Sequence, residues 1–152
     1  MGTLTTEEGI LALTENIPNL LELQVETRGL FLRPPLVAGV LPRIKNVEWM
    51  LDLSNQQITD DDLKYVAELK ELFSLNLNDN HIRGEGLLYL RDLNLSHLDL
   101  NNNPIEDAGI EYILELKKLE FLKIWGTNIT DKGAGKLQRK RIGMQIEHPV
   151  KY

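Results

Sequence analysis

The sequence contains no cysteine. That excludes disulfides and thiolate metal sites, and it fits a reducing compartment. Basic residues are in the minority, with 17 Lys and Arg against 23 Asp and Glu, for a formal net charge of -6. Such a chain repels nucleic acid overall and favours basic partners. No apolar run approaches the roughly 18 residues of a membrane span, so no membrane association is expected. The N-terminal stretch Met1-Gly2-Thr3-Leu4-Thr5-Thr6-Glu7-Glu8 lacks a basic region leading into an apolar one, so it does not read as a secretory signal peptide. Gly2 and Thr6 meet the loose myristoylation pattern, but no basic cluster supports it, and Thr5 with Glu8 reads as a helix cap. The sequence carries no phosphate-binding glycine loop and no nucleophile–base pair. Its three histidines, His81, His97 and His148, have no ligand spacing. The expectation is a cytoplasmic non-enzyme with no metal and no cofactor.

What is present suits one domain over residues 1–152: 42% of residues are hydrophobic and 26% charged. A chain of this length buries roughly two-thirds of its unfolded surface and needs no covalent staple.

The chain repeats itself. Residues 51–63 (LDLSNQQITDDDL), 75–87 (LNLNDNHIRGEGL), 98–110 (LDLNNNPIEDAGI) and 122–134 (LKIWGTNITDKGA) align, with starts 24, 23 and 24 residues apart. Each segment begins with two leucine-type residues two apart: Leu51 and Leu53, Leu75 and Leu77, Leu98 and Leu100, Leu122 and Ile124. In a strand these point to one face. A further apolar residue follows five later, at Ile58, Ile82, Ile105 and Ile129. Between them stands a position for a buried amide that serves neighbouring backbone groups, filled by Gln56, Asn80, Asn103 and Thr127. Gln56 and Thr127 are imperfect substitutes, so the ladder should be weakest there.

A short helix should follow each turn. Leu63, Val66, Ala67 and Leu69 fall at helical spacing, as do Leu87, Leu88 and Leu90, and Ile110, Ile113, Leu114 and Leu116. Thr59 with Asp62 reads as a cap pair and Thr130 as a weaker cap. Gly86, Gly109 and Gly133 read as close-packing points between successive repeats. The run Asp60-Asp61-Asp62 suits the start of a helix dipole and lacks the spacing of a calcium loop.

The ends are less regular. Residues 1–16 read as a capping helix, residues 17–146 as repeats and residues 147–152 as a tail. Leu23 and Val25 would form a first strand, and the phase around Trp49 is off by one, which predicts a bulge before Leu51. Ile142, Met144 and Ile146 read as a last strand. Irregular ends are expected where a solenoid hides its core.

The pattern L-x-x-L-x-L-x-x-N-x-I, in Leu72–Leu75–Leu77–Asn80–Ile82 and again in Leu95–Leu98–Leu100–Asn103–Ile105, resembles the leucine-rich-repeat superfamily. The segments ITDKGAGKL (residues 129–137) and IEDAGI (residues 105–110) look like its ribonuclease-inhibitor-like and GALA-type subclasses. The resemblance covers about residues 17–146. It implies an α/β fold: a right-handed solenoid with about six parallel strands on the concave face and helices on the convex face. It also implies a recognition scaffold, as in inhibitors, adaptors, receptors and effectors.

In that fold, residues alternating with the buried leucines face outward on the concave side. One column is Gln24, Asp52, Asn76, Asp99, Lys123 and then Gln145. A second is Glu26, Ser54, Asn78, Asn101 and Trp125, and a third is Glu22, Met50, Ser74, His97 and Phe121. The columns, with Asp79 and Asn102 beside them, are acidic and amide-rich through the middle and carry Phe121, Lys123 and Trp125 at the C-terminal end. Aromatic residues concentrate binding energy in interfaces. Two readings stand for Trp125 and Phe121: an anchor for a partner, or a cap over the core beneath residues 141–152.

The alternatives are blander. Asp52 and Asp99 would stand about 10 Å apart across two strand spacings, at the long edge for paired carboxylate hydrolysis and on an open sheet without a water-excluding pocket, so they read as solvated charge. His97 on the concave side reads as a solvated side chain or a hydrogen-bonding one. Lys132, Lys136 and the run Arg139-Lys140-Arg141 either touch phosphate or complement a helix dipole. With no aromatic interleaving and a net acidic chain, no nucleic-acid partner is expected. The leading reading is a monomeric module that binds a basic protein through Met50, Asp52, Ser54, Asn76, Asn78, His97, Asp99, Asn101, Phe121, Lys123 and Trp125, as an inhibitor or immunity-type protein. The rival is a structural, adaptor or effector scaffold that binds through its convex face or its ends.

Overall fold

A computed structural model describes residues 49–148. The expected capping helix, the first repeat with Glu22, Gln24 and Glu26, its strand and the end of the tail lie outside the described residues.

Five strands form one parallel sheet in chain order: β1 Trp49–Asp52, β2 Leu72–Asn76, β3 His97–Asp99, β4 Phe121–Lys123 and β5 Gln145–Glu147. Leu51, Leu75, Leu98, Leu122 and Ile146 stand in register across all five strands. The expected bulge lies between Trp49 and Met50. Each L-x-L pair is buried, so period two sets which side chains face inward.

β1 to β4 are each followed by a left-handed turn. Asn55, Asp79, Asn102 and Gly126 have φ of 56°, 56°, 54° and 66° and occupy the same place in successive repeats. Asn, Asp and Gly adopt this conformation at least cost. The turn directs the chain inward, to the amide ladder. The Asn80 Oδ1 accepts from the backbone of Gln56 and Ile58 at 3.0 and 2.9 Å, and its Nδ2 donates to the carbonyls of Leu53, Leu77 and Asn78. Asn103 likewise accepts from Ile82 and donates to Leu77, Leu100 and Asn101. The Thr127 hydroxyl donates to Ile124 and takes a long 3.4 Å contact from Ile129, both within its own repeat. The ladder does thin out at Thr127, as its shorter side chain predicted.

Opposite the strands run α1 Leu63–Val66, a 3-10 helix Glu85–Leu90, α2 Ile110–Glu115 and α3 Asp131–Lys140. α1 stops at Val66, short of Leu69, α2 stops one residue short of Leu116, and the Glu85–Leu90 helix is wound throughout as the narrower 3-10 form. Gly86 sits against the backbone of Asp60: a Cβ there would lie 2.6 Å from the Asp60 Cα. Gly109 and Gly133 pack as tightly, on Ile105 and Arg83 and on Asp107 and Ile110, which makes all three the close-packing points expected.

Carboxylates stitch the repeats together on this side. The Asp62 Oδ2 accepts from the Thr59 backbone and hydroxyl at 2.9 and 2.7 Å, which is the predicted cap pair. Asp60 reaches the next repeat, accepting from the backbone N–H groups of Arg83, Gly84 and Gly86 at 2.7, 2.9 and 2.7 Å. Asp107 repeats the device on the Thr130 backbone and hydroxyl, both at 2.8 Å, while Thr130 caps Gly133 at 3.2 Å. The acidic run therefore does more than match a dipole.

Two further expectations change. Of the expected last-strand residues only Ile146 lies in the strand; Met144 just precedes it and Ile142 is well outside. Helix α3 ends at Lys140, the chain turns at Gly143 with φ 97°, and Ile142 stands on that turn 94% exposed. The basic cluster is largely engaged: Lys136 and Lys140 pair with Glu111, and the Arg141 guanidinium donates to the carbonyls of Leu116, Lys117 and Leu119.

Candidate binding face

The register places the outward-facing side chains in three rows that cross the strands. The first runs Met50, Ser74, His97, Phe121, Gln145, and the second Asp52, Asn76, Asp99, Lys123, Glu147. The expected place of Gln145 beside Lys123 is thus corrected: Ile146, not Met144, pairs with Leu122, so Glu147 continues the second row. The third row is Ser54, Asn78, Asn101 and Trp125. Backbone bonds just past the strands hold its last three in line: Asn55 to Asn78, Asp79 to Asn101, and Asn102 to Trp125. Asp79 and Asn102 sit in the left-handed turns at the margin.

All eleven candidate residues lie on this one face, outside the core. Met50, Phe121 and Trp125 are 72%, 36% and 50% exposed. Among the described residues, the C-terminal segment adds β5 beside β4 and leaves both rings partly exposed. The backbone of Trp125 is fixed at both ends: its N–H donates to Asn101 Oδ1 and its carbonyl accepts from Asn102, each at 2.6 Å.

His97 is not a free solvated ring. It stacks on Phe121 with centroids 4.3 Å apart and 14° between planes, and it meets Phe73 at 5.2 Å. Its Nδ1 atom is buried with no partner among the described residues. Phe73 is a residue the alternation argument missed. It precedes Ser74 on β2 and should point inward by period two, yet it is 38% exposed. The result is an aromatic strip across β2, β3 and β4.

The second row is built on a repeated local turn. Asp52 accepts from the Ser54 N–H, Asn76 from Asn78 and Asp99 from Asn101, at 2.9, 3.0 and 2.9 Å. These side chains thereby hold fixed directions. Burial lifts the Asp99 carboxyl above the usual carboxylate range, and the charges of Glu147 and Asp52 add to this. The Asn101 N–H and the Lys123 charge oppose it. Lys123 is paired with Glu147 at 3.5 Å.

Among the described residues no helix is long and apolar enough to cross a membrane, and no group of three acidic or histidine side chains is placed to hold a metal ion. Two stretches of the chain, residues 72–91 and 91–114, match the family model described as Leucine Rich repeat. They contain the second and third rows' central members and most of the amide ladder. No curated protein matches the chain.

Proposed function

We propose that the chain, a leucine-rich-repeat protein, is a binding module and not an enzyme, and that it takes a basic protein partner on the strand face. One observation carries the reading: exposed apolar side chains and fixed carboxylates share one rigid sheet surface. Met50, Phe121 and Trp125 supply anchors, and Asp52 and Asp99 supply directed negative charge. A sheet face of parallel strands is rigid, so little ordering entropy is lost on binding. A few aromatic anchors ringed by polar groups are what concentrate binding energy in such interfaces. The absence of disulfides suits a cytoplasmic setting, and we take the module to act as a monomer in the manner of an inhibitor or immunity-type protein.

The test is affinity capture from native lysate with the wild-type chain and with an Asp52→Asn, Asp99→Asn, Trp125→Ala variant. Asparagine at the first two positions keeps the turn, as Asn76 does in the wild type. A protein retained by the wild type and lost by the variant, with circular dichroism unchanged, supports the strand face. Equal retention rejects it.

One observation favours a second reading, in which the convex side binds. Tyr65, Tyr89 and Tyr112 occupy the same place in three successive repeats, and Tyr89 is 49% exposed. Capture that survives the strand-face variant but fails with Tyr89→Ala would establish it.

A further inference from the structure

We infer that the partner segment seated on this face is an extended stretch of polyproline-II type, laid across the strands, with two cationic side chains three residues apart on Asp52 and Asp99. The inference rests on the proposed strand-face reading and specifies its ligand.

Asp52 and Asp99 occupy one row on β1 and β3, with Asn76 of β2 between them. Two strand spacings of about 4.8 Å put the carboxylates roughly 10 Å apart. A polyproline-II helix advances about 3.1 Å per residue with three residues per turn, so side chains at i and i+3 share a face about 9 Å apart. A β-strand fails this test. Its same-face residues are about 6.7 or 13 Å apart, and its i+3 side chain points away. An α-helix reaches the distance only across two turns.

The amides then separate the extended segment from the helix. Asn76 spends its oxygen on the Asn78 N–H and Asn101 spends its oxygen on the Trp125 N–H. Their Nδ2 groups donate to nothing among the described residues. Both are thus oriented donors on the same face, Asn76 at the end of β2 and Asn101 just past β3. A polyproline-II backbone has unpaired carbonyls that accept from such donors. An α-helix has its carbonyls already paired, and docking one would cover the two amides without partners. The half-buried Asp99 carboxylate gains from a cation set against it. The strip of Phe73, His97 and Phe121 runs beside this row, with Phe73 and Phe121 partly exposed, and offers apolar surface to the residues between the cations. Aromatic grooves are the usual seat of polyproline-II segments.

The experiment uses fluorescein-labelled peptides of equal net charge, read by anisotropy at low salt on the full chain. One is a proline peptide containing Arg-Pro-Pro-Arg. A second contains Arg-Pro-Arg in the same frame. The third is an alanine-based helix with arginines seven apart. The expected result is that the first binds at least about tenfold tighter than either other and loses that advantage with Asp52→Asn, Asp99→Asn. Asn101→Asp keeps the oxygen for Trp125, removes the Nδ2 donor and adds negative charge. It should weaken the first peptide roughly threefold or more, where bulk electrostatics would strengthen it. Equal binding of all three peptides, all lost with the double variant, overturns the geometry while leaving an acidic strand face intact. Preference for the helical peptide, or tighter binding by Asn101→Asp, also overturns it. If no peptide binds, the inference fails, and the lysate capture decides the strand-face reading separately.

Discussion

The Asp60 carboxylate accepts the Gly86 N–H at 2.7 Å while the Asp60 backbone occupies the space a Gly86 side chain would need. One residue therefore both caps the next repeat and fixes its approach. Alanine at Gly86 forces backbone against backbone, which does not relax as a side chain would. Gly86→Ala should cost about 1–3 kcal/mol, and Asp60→Ala about 1–2 kcal/mol through the lost cap. Urea midpoints of both and of the double variant check this. The two should be non-additive, since each disrupts the same contact. Additive losses would separate the cap from the packing.

The amide ladder offers an internal comparison. Asn80 makes two acceptor and three donor contacts, and its removal takes the shared acceptor from the backbone N–H groups of Gln56 and Ile58. Asn80→Ala should cost roughly 3 kcal/mol, since each orphaned buried group costs about 1–3 kcal/mol. Thr127→Ala loses only bonds within one repeat and should cost about 1 kcal/mol or less. Equal losses at the two positions would show that the amide does not join the repeats.

Much of this was legible in the sequence. The period of 23 and 24 residues, the L-x-L pairs, the glycine packing points and the ladder follow from local residue chemistry repeated at fixed spacing. So did the bulge at Trp49 and the outward direction of the three rows. What stayed hidden depends on which residues of different repeats meet. The reach of Asp60 to Arg83, of Asp107 to Thr130 and of Arg141 to Leu116 crosses from one repeat to the next, so no periodicity within a repeat announces it. Phe73 was missed because it is the extra residue at the register shift between Leu72 and Ser74, where period two breaks. Gln145 was misplaced because the last strand lacks a second leucine-type residue to fix its phase. The left-handed turn had a signal that went unread: Asn55, Asp79, Asn102 and Gly126 are all residues that tolerate positive φ.

Acid should loosen the third and fourth repeats through Asp107. The backbone and hydroxyl of Thr130 hold its carboxyl below the usual carboxylate range. A depressed folded value means the bonds contribute stability above the unfolded pKa, about 3.9, and that this is lost as pH falls through the folded value. The urea midpoint of the wild type should therefore drop more steeply between about pH 5 and 3 than that of Asp107→Asn. Glu111 is also held low, beside Lys136 and Lys140, and it is retained in both chains, so it cancels from the comparison. Parallel slopes would show that the Asp107–Thr130 contact carries no net proton linkage.

Asp99 presents the opposite sign, and with it a conflict between stability and binding. Its carboxyl is held above the usual range by burial. The folded state therefore takes up the proton more readily than the unfolded chain, and stability falls as pH rises from the unfolded value through the folded one. At neutral pH the ionised form carries that full penalty. Asp99→Asn keeps the turn to Asn101, as Asn76 does to Asn78, and removes the charge. The variant should be more stable than the wild type at pH 7, and the difference should vanish below about pH 3, where both side chains are neutral. The same substitution should weaken capture of a basic partner. Gained stability with lost binding would mark Asp99 as a residue kept for recognition at the expense of the fold. Gained stability with unchanged binding would leave the carboxylate without a role on the strand face, and a loss of stability would show that the Lys123 charge outweighs burial.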